Sequence, residues 1–166
     1  MIGRFFNSVG GQPIPDVLPK EGWVDVPGAF RFGYPWPWSL AEDGGLVNVS
    51  GADEENHVFA TLVAPHTTFV PQVQFWPQPG AFSGSDTVVR ELPRLYGGAV
   101  TEARRVLVDG RNALVVDLDL PHGQRVSRLV ADAPGYQLHG ELRVPRASAA
   151  GYRWHWCAML GSLQWR

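Results

Sequence analysis

The chain has 166 residues, 45% of them hydrophobic and 18% charged, which is the size and composition of one folded domain and argues against a disordered segment. Fourteen basic and 16 acidic residues give a net charge of −2 without a basic run, so no nucleic-acid partner is expected, and the lone Cys157 excludes an intrachain disulfide. No apolar run approaches the roughly 18 residues of a membrane span, and the apolar stretch near Met1 is too short for a secretory leader, so a cytoplasmic protein is expected.

Residues 1–22 read as an N-terminal extension and residues 23–166 as a single domain. Gly10-Gly11, Pro13, Pro15 and Pro19 punctuate the first stretch, and no periodicity lasts there. Between Ala29 and Tyr34 the chain alternates, with Phe30, Phe32 and Tyr34 on one face and Arg31 on the other, which predicts a strand ended by Pro35 and Pro37. Trp36, Trp38 and Leu40 then enter a turn or short helix closed by Asp43-Gly44-Gly45. Residues 46–50 and 57–64 read as a hairpin. Residues 69–76 read as another strand, in which Pro71 fits only an edge or a bulge.

Residues 85–96 place Val88, Val89, Leu92, Leu95 and Tyr96 at helical spacing, with Ser85 as N-cap and Gly97-Gly98 as the stop. Pro93 predicts that this helix is kinked or short. Strands follow at 101–108, 112–120, 125–131 and 136–144, joined by the turn signals Asp109-Gly110, Pro121-His122-Gly123 and Pro134-Gly135. Arg104-Arg105 reads as an exposed pair. Leu114, Val116, Leu118 and Leu120 share one strand face, with Val115, Asp117 and Asp119 opposite, and Val126 and Val130 point inward. In the last strand Tyr136, Leu138, Leu142 and Val144 are expected to face the core, while Gln137, His139, Glu141 and Arg143 face away. After Pro145, Ser148 is the expected cap of a closing helix, on which Tyr152, Trp156, Met159, Leu160 and Leu163 form one apolar stripe. Cys157 in that helix reads as a buried, inert thiol. The order predicts an α+β fold: a mostly antiparallel sheet of about six to seven strands packed with helices, with the C-terminal helix on the sheet.

Three stretches carry a family resemblance. Phe30-Arg31-Phe32-Gly33-Tyr34-Pro35 with Trp38 resembles the Phe-x-Phe-x-Tyr-Pro-x-x-Trp opening of the PsbP-like α/β/α sandwich superfamily. Val108-Asp109-Gly110-Arg111-Asn112-Ala113 resembles its Gly-x-x-Ala strand entry, and residues 152–163, with Gly161-Ser162 near the final turn, its closing helix. The resemblance spans residues 23–165. That superfamily includes the DcrB-type proteins, the mycobacterial LpqN-type lipoproteins, a Ran-GTPase nucleotide-release factor and the Eag-type effector chaperones. The chain departs from the LpqN type in having no lipobox. The acidic Ran-binding patch has no counterpart, so no functional residue is carried over. The resemblance implies a binding protein, adaptor or chaperone.

Asp117, Asp119, His139 and Glu141 are of types that ligate divalent ions. Arg125, Arg128 and Arg143 beside them predict cross-strand ion pairs instead, so no metal is assigned. Ser83-Gly84-Ser85 and Ser127 lack the nucleophile elbow, and His57, His66, His122, His139 and His155 are scattered. Gly10-Gly11, Gly44-Gly45 and Gly97-Gly98 lack a phosphate-loop order. No catalytic residue and no cofactor is assigned. The seven tryptophans stand above background. Trp23, Trp36, Trp38 and Trp76 fall at strand ends or loops and are the expected partner-binding residues, because aromatic rings concentrate at interface centres.

The expected function is a non-enzymatic adaptor or chaperone that binds another protein, such as a secreted or toxin-like one, through an apolar or aromatic surface. One alternative is a structural subunit of a larger assembly or a homo-oligomer. Another is a small-ligand or metal-binding protein that uses the face of Asp117, Asp119, His139 and Glu141.

Overall fold

A computed structural model describes residues 5–6, 13–14, 22–35, 38–40, 60–63, 71–80, 82 and 84–166. Strand β1 (Phe5–Phe6) pairs antiparallel with β2 (Pro13–Ile14). Strands β3 (Gly22–Val26) and β4 (Phe30–Tyr34) pair as a hairpin, followed by β5 (Ser39–Leu40), β6 (Ala60–Val63) and β7 (Gln72–Gln78). Helix α1 (Ser85–Tyr96) leads into a meander of β8 (Ala99–Val108), β9 (Arg111–Asp119), β10 (Gln124–Ala133) and β11 (Tyr136–Pro145). Helix α2 (Ala149–Ser162) and β12 (Gln164–Trp165) complete the chain.

Seven strands form one antiparallel sheet in the order β5-β6-β7-β11-β10-β9-β8, and three more form a sheet in the order β12-β4-β3. The α+β architecture with a C-terminal helix on the sheet is the one expected. The turn residues explain the meander. Asp109 and Gly110 take positive φ angles of 44° and 79°, as a two-residue hairpin requires. His122 and Gly123, at 65° and 74°, turn the chain between β9 and β10.

The sheet buries both faces. Cross-strand partners lie on the same face, and the register pairs Val115 with Leu129 and Ala131 with Leu138. Those residues pack with Phe75, Trp156, Met159 and Leu160, beneath α2 and the small sheet. The other face presents Leu114, Val116, Leu118 and Val130 to Val88 and Leu92 of α1. The run Ala113-Leu114-Val115-Val116 is buried throughout, which only a strand covered on both sides allows. This corrects two expectations. His139 and Glu141 do not face away from the protein but lie buried on the α1 side. Arg104 is buried on the α2 side, while Arg105 is exposed, because successive residues of a strand take opposite faces.

Smaller differences have local causes. Residues 39–40 are a strand rather than a turn or helix, because they pair with Leu62 and Val63 of β6. Pro71 precedes β7, so this interior strand loses no ladder bond to it. Residues 46–50, one arm of the expected hairpin, lie outside the described residues. Helix α1 runs its full predicted length through Pro93, which lacks the N–H that would bond the Val89 carbonyl, and Gly97 (φ 66°) closes it by donating its N–H to the Pro93 carbonyl. Residues 156–162 of α2 are buried on every side, wider than the expected stripe, because α2 is sandwiched between the two sheets. Strand β1 lies against β8 and α2. Among the described residues no helix is long and apolar enough to cross a membrane.

Candidate functional site

The polar residues of β7, β10 and β11 converge beneath α1. The register sets Arg128 opposite Glu141 and Glu141 opposite Gln74, while His139 stands between Val130 and Trp76. All four polar residues are buried, as is Trp76. Buried charge is tolerated only when paired and hydrogen-bonded, and Tyr96 from the last turn of α1 supplies the link. The Arg128 guanidinium donates to the Tyr96 hydroxyl through Nη1 at 2.5 Å and to His139 Nδ1 through Nη2 at 2.7 Å. Tyr96 in turn donates to Glu141 Oε1 at 2.6 Å, and Arg143 donates to the same oxygen at 3.2 Å. The guanidinium lies over the Trp76 ring, with Cζ 4.4 Å from its centroid.

These bonds determine the protonation states. His139 Nδ1 accepts from Arg128, so Nε2 carries the proton and donates to Gln137 Oε1 at 3.1 Å. Burial, with the nearby Arg128 charge, holds the His139 pKa down at about 3. Burial, reinforced by the Glu141 charge, raises that of Tyr96. His139 is therefore neutral with its lone pair occupied at physiological pH, and is not a proton acceptor there. The cluster orients its own members and anchors the end of α1.

Beside it a cleft of about 530 Å³ lies between α1 and strands β7, β10 and β11. Val88, Leu92 and Leu95 form its apolar wall, Arg128 and His139 stand at its polar end, and Glu91 and Arg94 belong to its lining. Leu95 is 46% exposed, one of four large hydrophobic side chains at the surface among the described residues. The sequence missed this site, because its members come from α1, β7, β10 and β11 and meet only through sheet register. The available signal was the set of polar residues that interrupts otherwise apolar strands, at Arg128, His139 and Glu141.

The sequence-predicted residues are dispersed. Trp23 is 44% exposed on β3, with the Arg31 guanidinium stacked 4.3 Å from its ring centroid. Trp38 and Trp76 are each 3% exposed, so both are core residues. Trp38 lies on the α2 side, donating its indole N–H to His155 Nδ1 at 2.9 Å, and Trp76 lies on the α1 side. Trp36 lies outside the described residues. The face expected to hold Asp117, Asp119, His139 and Glu141 is divided. The register places both aspartates on the α2 side and His139 and Glu141 on the α1 side. Asp119 pairs with Arg125 at 2.7 Å and Arg146 at 3.5 Å, and the Arg125 hydrogen bond holds its carboxyl below the usual range. Among the described residues no three His, Cys, Asp or Glu side chains stand together as a metal site.

No protein-family model and no curated protein matches the chain. Several solved structures match in fold, among them one solution structure and one crystal structure. The solution structure of cyanobacterial PsbP (CyanoP) from Synechocystis sp. PCC 6803 matches with a TM-score of 0.60 at 12% identity, over 87% of this chain and 92% of that one. A crystal structure from Bacteroides thetaiotaomicron VPI-5482 matches with a TM-score of 0.53 at 12% identity, over 89% of this chain but 49% of that one. Paired faces, meander and closing helix together give this chain the PsbP-like α+β fold.

Proposed function

We propose that this protein is a non-enzymatic adaptor or chaperone that binds an apolar segment of another protein, secreted or toxin-like, in the cleft beside α1. The observation that carries the reading is Leu95, exposed on the open side of a helix whose Val88 and Leu92 already line an apolar wall. The buried network supports it. Arg128, Tyr96, His139 and Glu141 are bonded to one another, which fixes the Arg128 and His139 side chains that line the cleft and leaves His139 without basicity. Trp23 adds exposed ring area on the small sheet as a second contact.

Comparative capture with the wild-type chain and Leu95→Asp tests the reading. The substitution places a charge where the partner's apolar segment would sit, at a position too exposed to disturb the core. The partner is expected to be retained by the wild type and reduced tenfold or more by Leu95→Asp, about 1.4 kcal/mol or more, with an unchanged thermal midpoint. Equal retention by both chains, or no protein enriched by either, overturns the reading.

A further inference from the structure

A second cleft, of about 370 Å³, lies on the opposite side of the large sheet, between β8–β11 and the first turns of α2. Two buried polar groups that line it have no hydrogen-bond partner: the Ser127 hydroxyl and the Trp156 indole N–H. Leaving such groups unpaired is unfavourable, and native structures seldom keep them without a ligand or water to satisfy them. The Arg104 guanidinium, its side chain 7% exposed, lies in the same cleft and is held only by long ion pairs. Its nearest carboxylates, Glu102 and Asp117, stand 3.8 Å away, beyond hydrogen-bond reach. A buried cation, a neutral N–H donor and a hydroxyl thus belong to one cleft lining, the last two without a hydrogen-bond partner.

The ligand class follows from what surrounds them. A carboxylate presents two coplanar acceptor oxygens, which match the guanidinium fork. Arg104, Arg125 and Arg153 outnumber Glu102 and Asp117 in the lining, so the cleft favours an anion of low charge. Leu142, Val144 and Ala149 supply an apolar wall, and a volume of this size holds a small organic molecule rather than an ion alone. Cys157, also in the lining, is a neutral thiol, its pKa raised by burial, and adds no opposing charge. We propose that this cleft binds a small monocarboxylate with an apolar tail, its carboxylate held by Arg104, Ser127 and Trp156 and its tail against Leu142, Val144 and Ala149. This site is independent of the α1 cleft, which faces the other way.

Calorimetric titration of the full chain with hexanoate tests the proposal, with hexanol and inorganic phosphate titrated in parallel. Hexanoate is expected to bind, and hexanol and phosphate to bind at least about tenfold more weakly, the loss of one charge-assisted contact. Ser127→Ala is expected to weaken hexanoate about three- to tenfold. It should leave the thermal midpoint of the free protein unchanged or raised, since it removes a hydroxyl that has no partner. Arg104→Gln is expected to weaken hexanoate by about tenfold or more. If Arg104→Gln does not fold, Ser127→Ala decides. No hexanoate binding, or equal binding by wild type and Ser127→Ala, overturns the proposal. Hexanol binding as tightly would make the cleft a plain apolar cavity, phosphate binding as tightly a general anion site, and either overturns it too. Leu95→Asp should bind hexanoate like the wild type, which separates failure here from failure of the α1 reading.

Discussion

Arg128 lies over Trp76, its guanidinium carbon 4.4 Å from the ring centroid, and both side chains are buried in the middle of the large sheet. A desolvated cation on an indole face is attracted by the ring quadrupole by about 2 kcal/mol. Arg128→Gln, Trp76→Leu and the double variant should therefore show a coupling energy of about 1–2 kcal/mol in urea unfolding. Strict additivity would mean that the stacking contributes nothing. Arg128→Met should be costlier, about 3–5 kcal/mol, because Glu141 would stay buried with its network opened.

His139 makes stability depend on pH. Its pKa is about 3 in the folded protein against 6.5 for an unperturbed histidine. Below the higher value the unfolded chain takes up a proton that the folded chain refuses, so stability is fully present above about pH 6.5 and falls as pH drops towards 3. This residue's share of the slope approaches about 1.4 kcal/mol per pH unit in that window. Urea midpoints for the wild type and His139→Gln, followed from neutral pH downwards, check it. A variant slope equal to the wild-type slope would sink the assignment.

Ser162 continues the sheet where the backbone cannot. Its hydroxyl accepts the Gly33 N–H at 2.8 Å and lies within donating distance of the Met159 and Gly33 carbonyls, at 2.8 and 3.1 Å. It thereby extends the pairing of β12 with β4 by one buried side chain. Ser162→Ala should cost about 1–3 kcal/mol, because the Gly33 amide is left buried and unpaired. Hydrogen exchange at Gly33 should accelerate more than at Phe32 or Tyr34, and uniform protection across β4 would contradict this account.

Gly140 is required by close packing. A Cβ there would lie 2.9 and 3.0 Å from Phe75 ring carbons and 3.2 Å from Trp156 Cη2. The Phe75 and Trp156 rings stack against each other with centroids 5.8 Å apart, so neither has room to retreat. Gly140→Ala should destabilise by about 1–3 kcal/mol through overpacking. Combining it with Phe75→Leu should cost less than the sum of the two single changes. A fully additive pair would show that the clash is relieved elsewhere.

Much of the fold was legible because it is local. The Asp109-Gly110 turn, the alternation of Leu114, Val116 and Leu118, and the helical spacing of Val88, Leu92 and Tyr96 each depend on neighbouring residues, and each stands in the structure where expected. The alternation separated His139 and Glu141 from Leu138 and Leu142, and Asp117 from Val116 and Leu118, but it grouped the aspartates with His139 and Glu141 on one outward face, which the register divides. It could not say that both faces were covered. A period of two sorts side chains into two sets, but which set meets solvent depends on where α1 and α2 cross the sheet.

The same limit governs the candidate sites. Trp38 and Trp76 lie at the ends of apolar stretches in the sequence, and only tertiary packing put both in the interior. The chain by itself determined the elements, the turns and the two faces of each strand, because these follow from backbone geometry over a few residues. The tertiary structure alone decided that Arg128, Tyr96, His139 and Glu141 would form one network, and that Arg104, Ser127 and Trp156 would share a cleft. Each group gathers residues from separate elements, and the sheet register and helix placement that unite them are set by the burial of the whole core.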